Sequence, residues 1–300
     1  MTGARSEPLT AHEGLLSGEA MVAGVVGHPV RHSLSPRLHG AWIRALGLDA
    51  AYVPLDVGPH GFETVARALI GGSFRGMNVT LPFKEQALVL ADAATDRARA
   101  AGAANVLVYR TDGTVLADNT DGEGLLYALR RQAPGWRADR GPVTVIGAGG
   151  AARGAVAALS AAGATDIRIL NRTRARADAL CALLPATAFG WDAAEAAFEG
   201  AGTVINATSG QLTADAPLSL PLPPARAAGG VVVMDMVYKP LETPYLAACR
   251  ALGHHTVDGL DMLIGQAVPA FEAFFGVAPP EIPVRELLLA AMYPTKGPAP

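Results

Sequence analysis

Lysine is nearly absent from this chain: Lys84, Lys239 and Lys296 are the only three in 300 residues, against twenty-one arginines. Where a plain positive charge suffices, this composition supplies arginine, so a retained lysine points to a need for an amine. An amine can release its proton and a guanidinium effectively cannot. Lys84 is therefore a candidate for proton transfer, and a surface lysine at a helix start is an equally open reading. Cysteine is scarce too, limited to Cys181 and Cys249 in alanine-rich helical stretches. That excludes a zinc cluster or a disulfide framework and predicts two reduced, buried thiols. Charged residues make up 17% of the chain and the net charge is −3, which leaves no basic stripe for nucleic acid. No apolar run reaches the length of a membrane span. The first residues lack the basic start and apolar core of a signal peptide, so a cytoplasmic location is expected, with no metal.

What the chain has in quantity is hydrophobic residues, half of the total. This is enough for two modest cores. Apolar strands alternate with helical stretches, a pattern of parallel sheets with covering helices. Strands are predicted over 21–26, 51–55, 76–79 and 105–109, with helices over 36–46, 62–70, 84–90 and 122–131. Further strands follow over 143–146, 167–170, 203–206 and 231–236, with a helix over 175–184. Residues 1–19 and 293–300 mix Gly, Ser, Glu and Pro without periodicity and read as flexible tails.

The segment 143–176 carries the clearest chemistry. Val143-Thr144-Val145-Ile146 runs directly into Gly147-Ala148-Gly149-Gly150-Ala151-Ala152, which fits G-x-G-x-x-A. Gly147 permits a tight turn, Gly149 lets the backbone approach a pyrophosphate, and Ala152 lets the next helix pack close. The phosphate then sits on a helix N-terminus. At the end of the next strand an NAD site usually has Asp or Glu for the ribose hydroxyls. Here stands Asn171-Arg172-Thr173-Arg174-Ala175-Arg176. Guanidinium groups bind a 2′-phosphate that a carboxylate would repel, so NADP(H) is the expected cofactor. The alternative, a solvated helix start, sets basic residues against the helix dipole.

Five ordered motifs carry a family resemblance. They are Gly27-His28-Pro29-Val30-Arg31-His32-Ser33-Leu34-Ser35-Pro36, Asn78-Val79-Thr80-Leu81-Pro82-Phe83-Lys84-Glu85, Gly102-Ala103-Ala104-Asn105, Asp118-Asn119-Thr120-Asp121-Gly122 and Asp258-Gly259-Leu260-Asp261-Met262-Leu263. Together they resemble shikimate dehydrogenase over about residues 20 to 290. The resemblance implies NADPH-dependent reduction of 3-dehydroshikimate to shikimate, with Lys84 and Asp121 as a catalytic pair beside the reacting carbonyl. It implies that Ser33 and Ser35 hold the substrate carboxylate, and that Thr80, Asn105 and Gln266 surround the ring hydroxyls. Tyr238 closes the site from the far domain. Taken singly, Ser33, Ser35, Thr80 and Asn105 read as turn formers or caps. On the cofactor side the resemblance implies Gly147, Ala148, Gly149, Gly150, Ala151, Asn171, Arg172, Thr173, Arg176, Thr208, Ser209, Met236 and Gly259. It assigns neither His32 nor His39 to catalysis, and a structural hydrogen-bonding role is expected for both.

The fold so implied is two α/β domains with the active site in the cleft between them. A substrate domain with a mainly parallel sheet takes residues 20–121 plus 260–292, and a Rossmann-type NADP-binding domain takes 122–259. Partners are limited to the small-molecule substrate, and a homodimer is compatible with the reading. The chain departs from the family pattern at Gly40, where many relatives have Asn, and at Val106, where Thr is usual. Asn206-Ala207-Thr208-Ser209-Gly210-Gln211-Leu212 is one residue shorter than the family's Asn-Ala-Thr-Ser-x-Gly-Met, in a loop near the nicotinamide. A quinate/shikimate dehydrogenase of broader specificity is the near alternative, although two serines resemble the shikimate-preferring pattern. A non-catalytic NADP-binding sensor is the alternative from another class, and intact Lys84 and Asp121 argue against it.

Overall fold

A computed structural model of the chain describes residues 15–208, 220–224 and 230–294. Its first part runs β1 (Met21–Gly27), α1 (Ser35–Leu46), β2 (Ala50–Asp56), α2 (Phe62–Ala68), β3 (Phe74–Val79), α3 (Lys84–Leu90), β4 (Ala93–Ala94), α4 (Asp96–Ala101), β5 (Val106–Tyr109), β6 (Val115–Asp118) and α5 (Asp121–Gln132). The six strands form one sheet in the order β2-β1-β3-β5-β6-β4, in which β5 alone runs antiparallel to its neighbours. β1 lies between β2 and β3 and its last five residues are buried, as expected for a strand covered on both faces. The reversal of β5 decides where function can sit. It brings Asn105, just before β5, to the edge where β1, β3 and β6 end, and Val79 N–H donates to Asn105 O at 2.8 Å.

The second part runs β7 (Val143–Ile146), α6 (Gly150–Ala161), β8 (Ile167–Asn171), α7 (Arg174–Cys181), β9 (Thr187–Gly190), α8 (Ala194–Phe198), β10 (Thr203–Asn206), β11 (Val232–Asp235), α9 (Pro244–Ala251) and β12 (His255–Val257). These strands form an all-parallel sheet in the order β12-β11-β10-β7-β8-β9. The order reverses at β7, and in an open parallel sheet the crevice beyond the strand ends at such a point is where a dinucleotide binds.

After β12 the chain returns through α10 (Leu260–Phe275) and α11 (Val284–Met292) to the first sheet. Phe271, Phe274 and Phe275 of α10 pack with Trp42 and His39 of α1 in one aromatic cluster. The crossing point is pinned by charge. Arg285 donates to both oxygens of Asp258 at 3.1 and 2.6 Å, and Gln132 Nε2 donates to Asp258 O at 3.2 Å and to buried Asp261 Oδ2 at 2.8 Å.

Several elements lie outside the expected set: β4, α4, β6, β9, α8, β12 and the helices α10 and α11. Most are two to five residues long and too short for a periodic signal. β6 had one, because Asp112-Gly113 lies between two apolar runs and Arg110 N–H bonds to Thr114 O across the turn. The expected tails are anchored at their inner ends: Ser17 N–H donates to Asp49 at 3.1 Å and Leu241 N–H to the Tyr293 hydroxyl at 2.9 Å. Cys249 is buried, with its thiol pushed up to about 11 by burial, whereas Cys181 is only half-buried at the end of α7. Val106 lies in the core, so the hydroxyl of the usual Thr is not missed.

Candidate active site

Four segments meet at the shared edge of the first sheet. The turn after β1 brings Ser33 and Ser35, the turn after β3 brings Thr80 and Lys84, the residue before β5 is Asn105, and the turn after β6 ends in Asp121. With residues of α10 and of the segment after β11 they line a cavity of about 320 Å3. Its wall contains every residue predicted for the substrate: Ser33, Ser35, Thr80, Lys84, Asn105, Asp121, Tyr238 and Gln266. Met236 and Gly259, expected on the cofactor side, line it too. The volume suits a ligand of about a dozen heavy atoms at the small end of the usual range.

At its centre Lys84 Nζ donates to Asp121 Oδ2 at 2.5 Å. Lys84 is the first residue of α3, where a cation opposes the helix dipole, so helix stability does not explain it. The other carboxylate oxygen of Asp121 accepts from Asn105 Nδ2 at 3.0 Å. That amide also reaches Gln266 Oε1 at 3.2 Å and Thr120 Oγ1 at 3.0 Å, while Asn105 Oδ1 accepts from Thr120 N–H at 2.8 Å. The Asp121 N–H is held by Asn119 Oδ1 at 3.1 Å. A bidentate clamp lies behind this turn, with Arg97 donating to Asp118 Oδ1 at 2.6 Å and Oδ2 at 2.5 Å. Burial alone raises the Asp118 carboxyl, but Arg97, Thr95 and the Asn119 N–H together hold it below the usual range.

Sequence reasoning passed over Asn78 and Tyr52. Asn78 is buried on the cavity wall, accepts from the Tyr52 hydroxyl at 2.6 Å and donates to Asn105 O at 3.2 Å. Burial raises Tyr52 well above its ordinary value, against the lowering effect of the Ser35 hydroxyl, so Tyr52 is a neutral donor. The signal was present, since Asn78 opens the second of the five motifs. Ser35 is buried and its N–H donates to Ser33 Oγ at 3.3 Å, so the two serines share one tight turn. His32 accepts from Arg31 at 3.1 Å. His39 corrects the expected hydrogen-bonding role: among the described residues neither ring nitrogen has a partner. Its ring instead stacks on Tyr52 at 4.0 Å, and burial lowers its pKa to about 3.

The second sheet offers a site that fits a dinucleotide. Gly147 has φ +114°, a left-handed conformation that favours glycine, and a Cβ there would come within 3.1 Å of Thr208 Cγ2. A Cβ at Gly149 or Gly150 would meet no described protein atom within 4 Å, so the turn lies open to a ligand. Among the described residues no side chain caps α6, and no acidic residue stands in its first turn, so its N–H groups suit an anion. At the end of β8, Asn171 bonds locally to Thr173 O at 2.8 Å, and Arg174 of α7 pairs with Asp178 at 3.5 Å. Arg172, Thr173 and Arg176 are exposed there, a donor set suited to a phosphate monoester. Ala148 lies in the turn, and Ala151 is the second residue of α6. Thr208 N–H and hydroxyl donate to Asn206 Oδ1 at 3.0 and 2.7 Å. Ser209 and the rest of the shortened segment, to Leu212, lie outside the described residues.

Three family models match the sequence: Shikimate dehydrogenase substrate binding domain over residues 25–107, Shikimate / quinate 5-dehydrogenase over 130–216, and Shikimate 5'-dehydrogenase C-terminal domain over 259–289. A curated shikimate dehydrogenase (NADP(+)) of Caulobacter vibrioides is 54% identical over 279 residues, 91% of this chain and 96% of that protein. The one of Rhodospirillum rubrum is 49% identical over 88% of this chain and 95% of its own length. Among solved structures, shikimate 5-dehydrogenase of Thermus thermophilus in complex with NADP(H) and shikimate superposes with TM-score 0.77 at 34% identity, over 87% of this chain and 95% of that one. Quinate dehydrogenase of Corynebacterium glutamicum in complex with NAD gives TM-score 0.77 at 29% identity, over 90% and 99%.

Proposed function

This chain belongs to the shikimate dehydrogenase family, and on that premise we propose that it interconverts 3-dehydroshikimate and shikimate with NADP(H). This is an oxidoreductase step of chorismate and aromatic amino acid biosynthesis. When bound, the cofactor supplies or accepts the hydride at the ring carbon. What this chain's residues must do is manage the oxygen on that carbon, which gains negative charge and a proton in the reductive direction. The observation that carries the reading is the 2.5 Å contact between Lys84 and Asp121 on the wall of the cavity.

An ammonium has three donors, and Asp121 occupies one. The remaining donors of Lys84 serve the substrate oxygen as hydrogen-bond stabiliser and proton source. Asp121 keeps the charge of the pair balanced, and its second oxygen is held by Asn105. Ser33 and Ser35 take the substrate carboxylate, and Thr80, Asn105 and Gln266 match the ring hydroxyls. Each unmatched hydroxyl in a buried site costs about 1–3 kcal/mol, which is how such a wall selects a polyhydroxylated ring. Tyr238 stands on the cavity wall after β11, and burial raises its hydroxyl pKa so that it stays a neutral donor. Gly147, Gly149, Gly150 and the α6 N-terminus hold the pyrophosphate, and Arg172, Thr173 and Arg176 hold the 2′-phosphate.

We assign the substrate domain to residues 20–121 plus 260–292, the cofactor domain to 122–259 and the reaction to the cytoplasm, in keeping with two free thiols. The deciding experiment follows absorbance of the reduced nicotinamide with shikimate or quinate against NADP+ or NAD+. Turnover confined to shikimate with NADP+ supports the reading, and no turnover in any combination overturns it.

A further inference from the structure

The dinucleotide turn is followed by an arginine that does not face the cofactor. Arg153 lies one turn into α6, with its N–H on Gly149 O at 3.0 Å. Its guanidinium leaves the second sheet's domain and reaches the C-terminal end of α4, donating from Nε to Ala100 O at 2.9 Å and from Nη2 to Arg99 O at 3.4 Å. Those are carbonyls of the last turn of α4, where a cation is favoured by the dipole; Arg99 O also accepts from the capping Gly102 N–H at 3.1 Å, so Ala100 O is the main anchor of the arginine. Gly102 closes α4 in the left-handed conformation, φ +62°, and a Cβ on it would lie 2.2 Å from Arg153 Nη1. The glycine suits the backbone angle, and a side chain there would displace the guanidinium above it.

The next three residues carry the active site. Ala103 O accepts from Asn119 Nδ2 at 2.8 Å, and Asn119 Oδ1 holds the N–H of Asp121. Ala104 N–H donates to the carbonyl of Lys84 at 2.8 Å. Asn105 binds the Asp121 carboxylate. A single loop, Gly102 to Asn105, therefore buttresses both members of the Lys84–Asp121 pair, and the end of α4 that leads into it is held at Arg99 and Ala100 by an arginine from the helix whose N-terminus would face the pyrophosphate.

We propose that Arg153 is a positioning residue that ties the cofactor helix α6 to the loop Gly102–Asn105 and so fixes the Lys84–Asp121 pair when the cofactor half of the cleft is in place. The inference rests on the shikimate and NADP(H) reading for its kinetic consequences and on this chain's own contacts for the tether itself. It explains why the small αL closure of α4 sits under a long cationic side chain from the other domain.

Four variants test it: Arg153→Ala, Arg153→Lys, Gly102→Ala, which displaces the guanidinium while keeping it, and the Arg153→Ala/Gly102→Ala double. Hydrogen exchange on the cofactor-free protein reads the tether without any ligand. The amides of Ala103 and Ala104 exchange roughly tenfold faster in Arg153→Ala and in Gly102→Ala than in wild type. Calorimetry gives the Kd of NADP+ alone, expected within about twofold of wild type, and the factor by which NADP+ tightens shikimate, expected to fall from several-fold to about one. In turnover kcat drops about tenfold while KM for NADP+ stays within about twofold, Arg153→Lys recovers part of kcat, and the double variant is no worse than the worse single one. Unchanged exchange at Ala103 and Ala104, or a wild type whose shikimate affinity ignores NADP+, overturns the proposal. A tenfold weaker Kd for NADP+ alone with unaltered exchange also overturns it, because the arginine then serves the cofactor directly. If Arg153→Ala does not fold, Arg153→Lys and Gly102→Ala decide by the same criteria. A wild type that does not turn over shikimate sinks the functional reading instead, and the exchange result still stands or falls alone.

Discussion

Asn105 and Gln266 meet across 161 residues of sequence, through a 3.2 Å hydrogen bond from Nδ2 to Oε1. The amide that makes this contact also holds Asp121, and the Thr120 hydroxyl donates to Gln266 O at 2.8 Å. The placement of α10, set by its aromatic packing on α1, thereby reaches the carboxylate beside Lys84. Asn105→Ala removes the shared donor and leaves buried acceptors unmatched. It is expected to lower kcat about tenfold to a hundredfold and to raise KM for shikimate, by steady-state kinetics on a variant with wild-type circular dichroism. An unaltered kcat shows that Lys84 alone orients Asp121.

Lys84→Ala is expected to lower kcat by about 10²- to 10⁴-fold with a much smaller change in KM, as for loss of a proton-transfer group. Asp121→Asn keeps the shape and removes the charge. Because the two act as a unit, the double variant is expected to be little worse than the worse single one. Multiplying losses show two independent roles.

Ser33→Ala and Ser35→Ala test the substrate carboxylate. Each removes a hydrogen bond to a charged group, worth about 1.5–3 kcal/mol, so each raises KM for shikimate roughly tenfold to a hundredfold. KM for NADP+ is expected to stay put. A loss on the cofactor side instead places the turn after β1 in the wrong half of the cleft.

Arg172→Ala removes an exposed guanidinium from the end of β8. NADP+ binding is expected to weaken by several-fold to about a hundredfold while NAD+ binding holds, with Thr173 and Arg176 keeping part of the preference. Adding Asn171→Asp offers the ribose an acceptor and repels the phosphate, so the ratio of kcat/KM for the two cofactors shifts further. An unmoved ratio means the arginines are a solvated helix start.

Buried His39 has a folded pKa of about 3 against an ordinary value of 6.5, so the folded state resists its protonation. The unfolded chain binds that proton first, and stability rises with pH through this window. The contribution is complete above pH 6.5 and is lost as pH falls towards 3, on the order of 5 kcal/mol by linkage. His39→Phe keeps a ring against Tyr52 and is expected to flatten the acid limb of urea-unfolding stability between about pH 6.5 and 4. An unchanged acid limb assigns the acid sensitivity to other groups.

The dinucleotide turn and the predicted cofactor choice were legible because they depend on local chemistry: a glycine with φ +114° before α6 and a run of arginines after β8. The shortage of lysine singled out Lys84 for the same reason, since residue type alone separates an amine from a guanidinium. Tertiary structure decided the rest. Asn105 reaches Asp121 only because β5 runs backwards, and Gln266 joins them only because α10 returns over α1. His39 lost its expected hydrogen bonds because burial among aromatic rings leaves its nitrogens without partners among the described residues. Arg153 was silent in the sequence, where it is one more arginine among twenty-one. Its meaning comes from the carbonyls of α4, more than fifty positions away, which only the packing of two domains brings within reach.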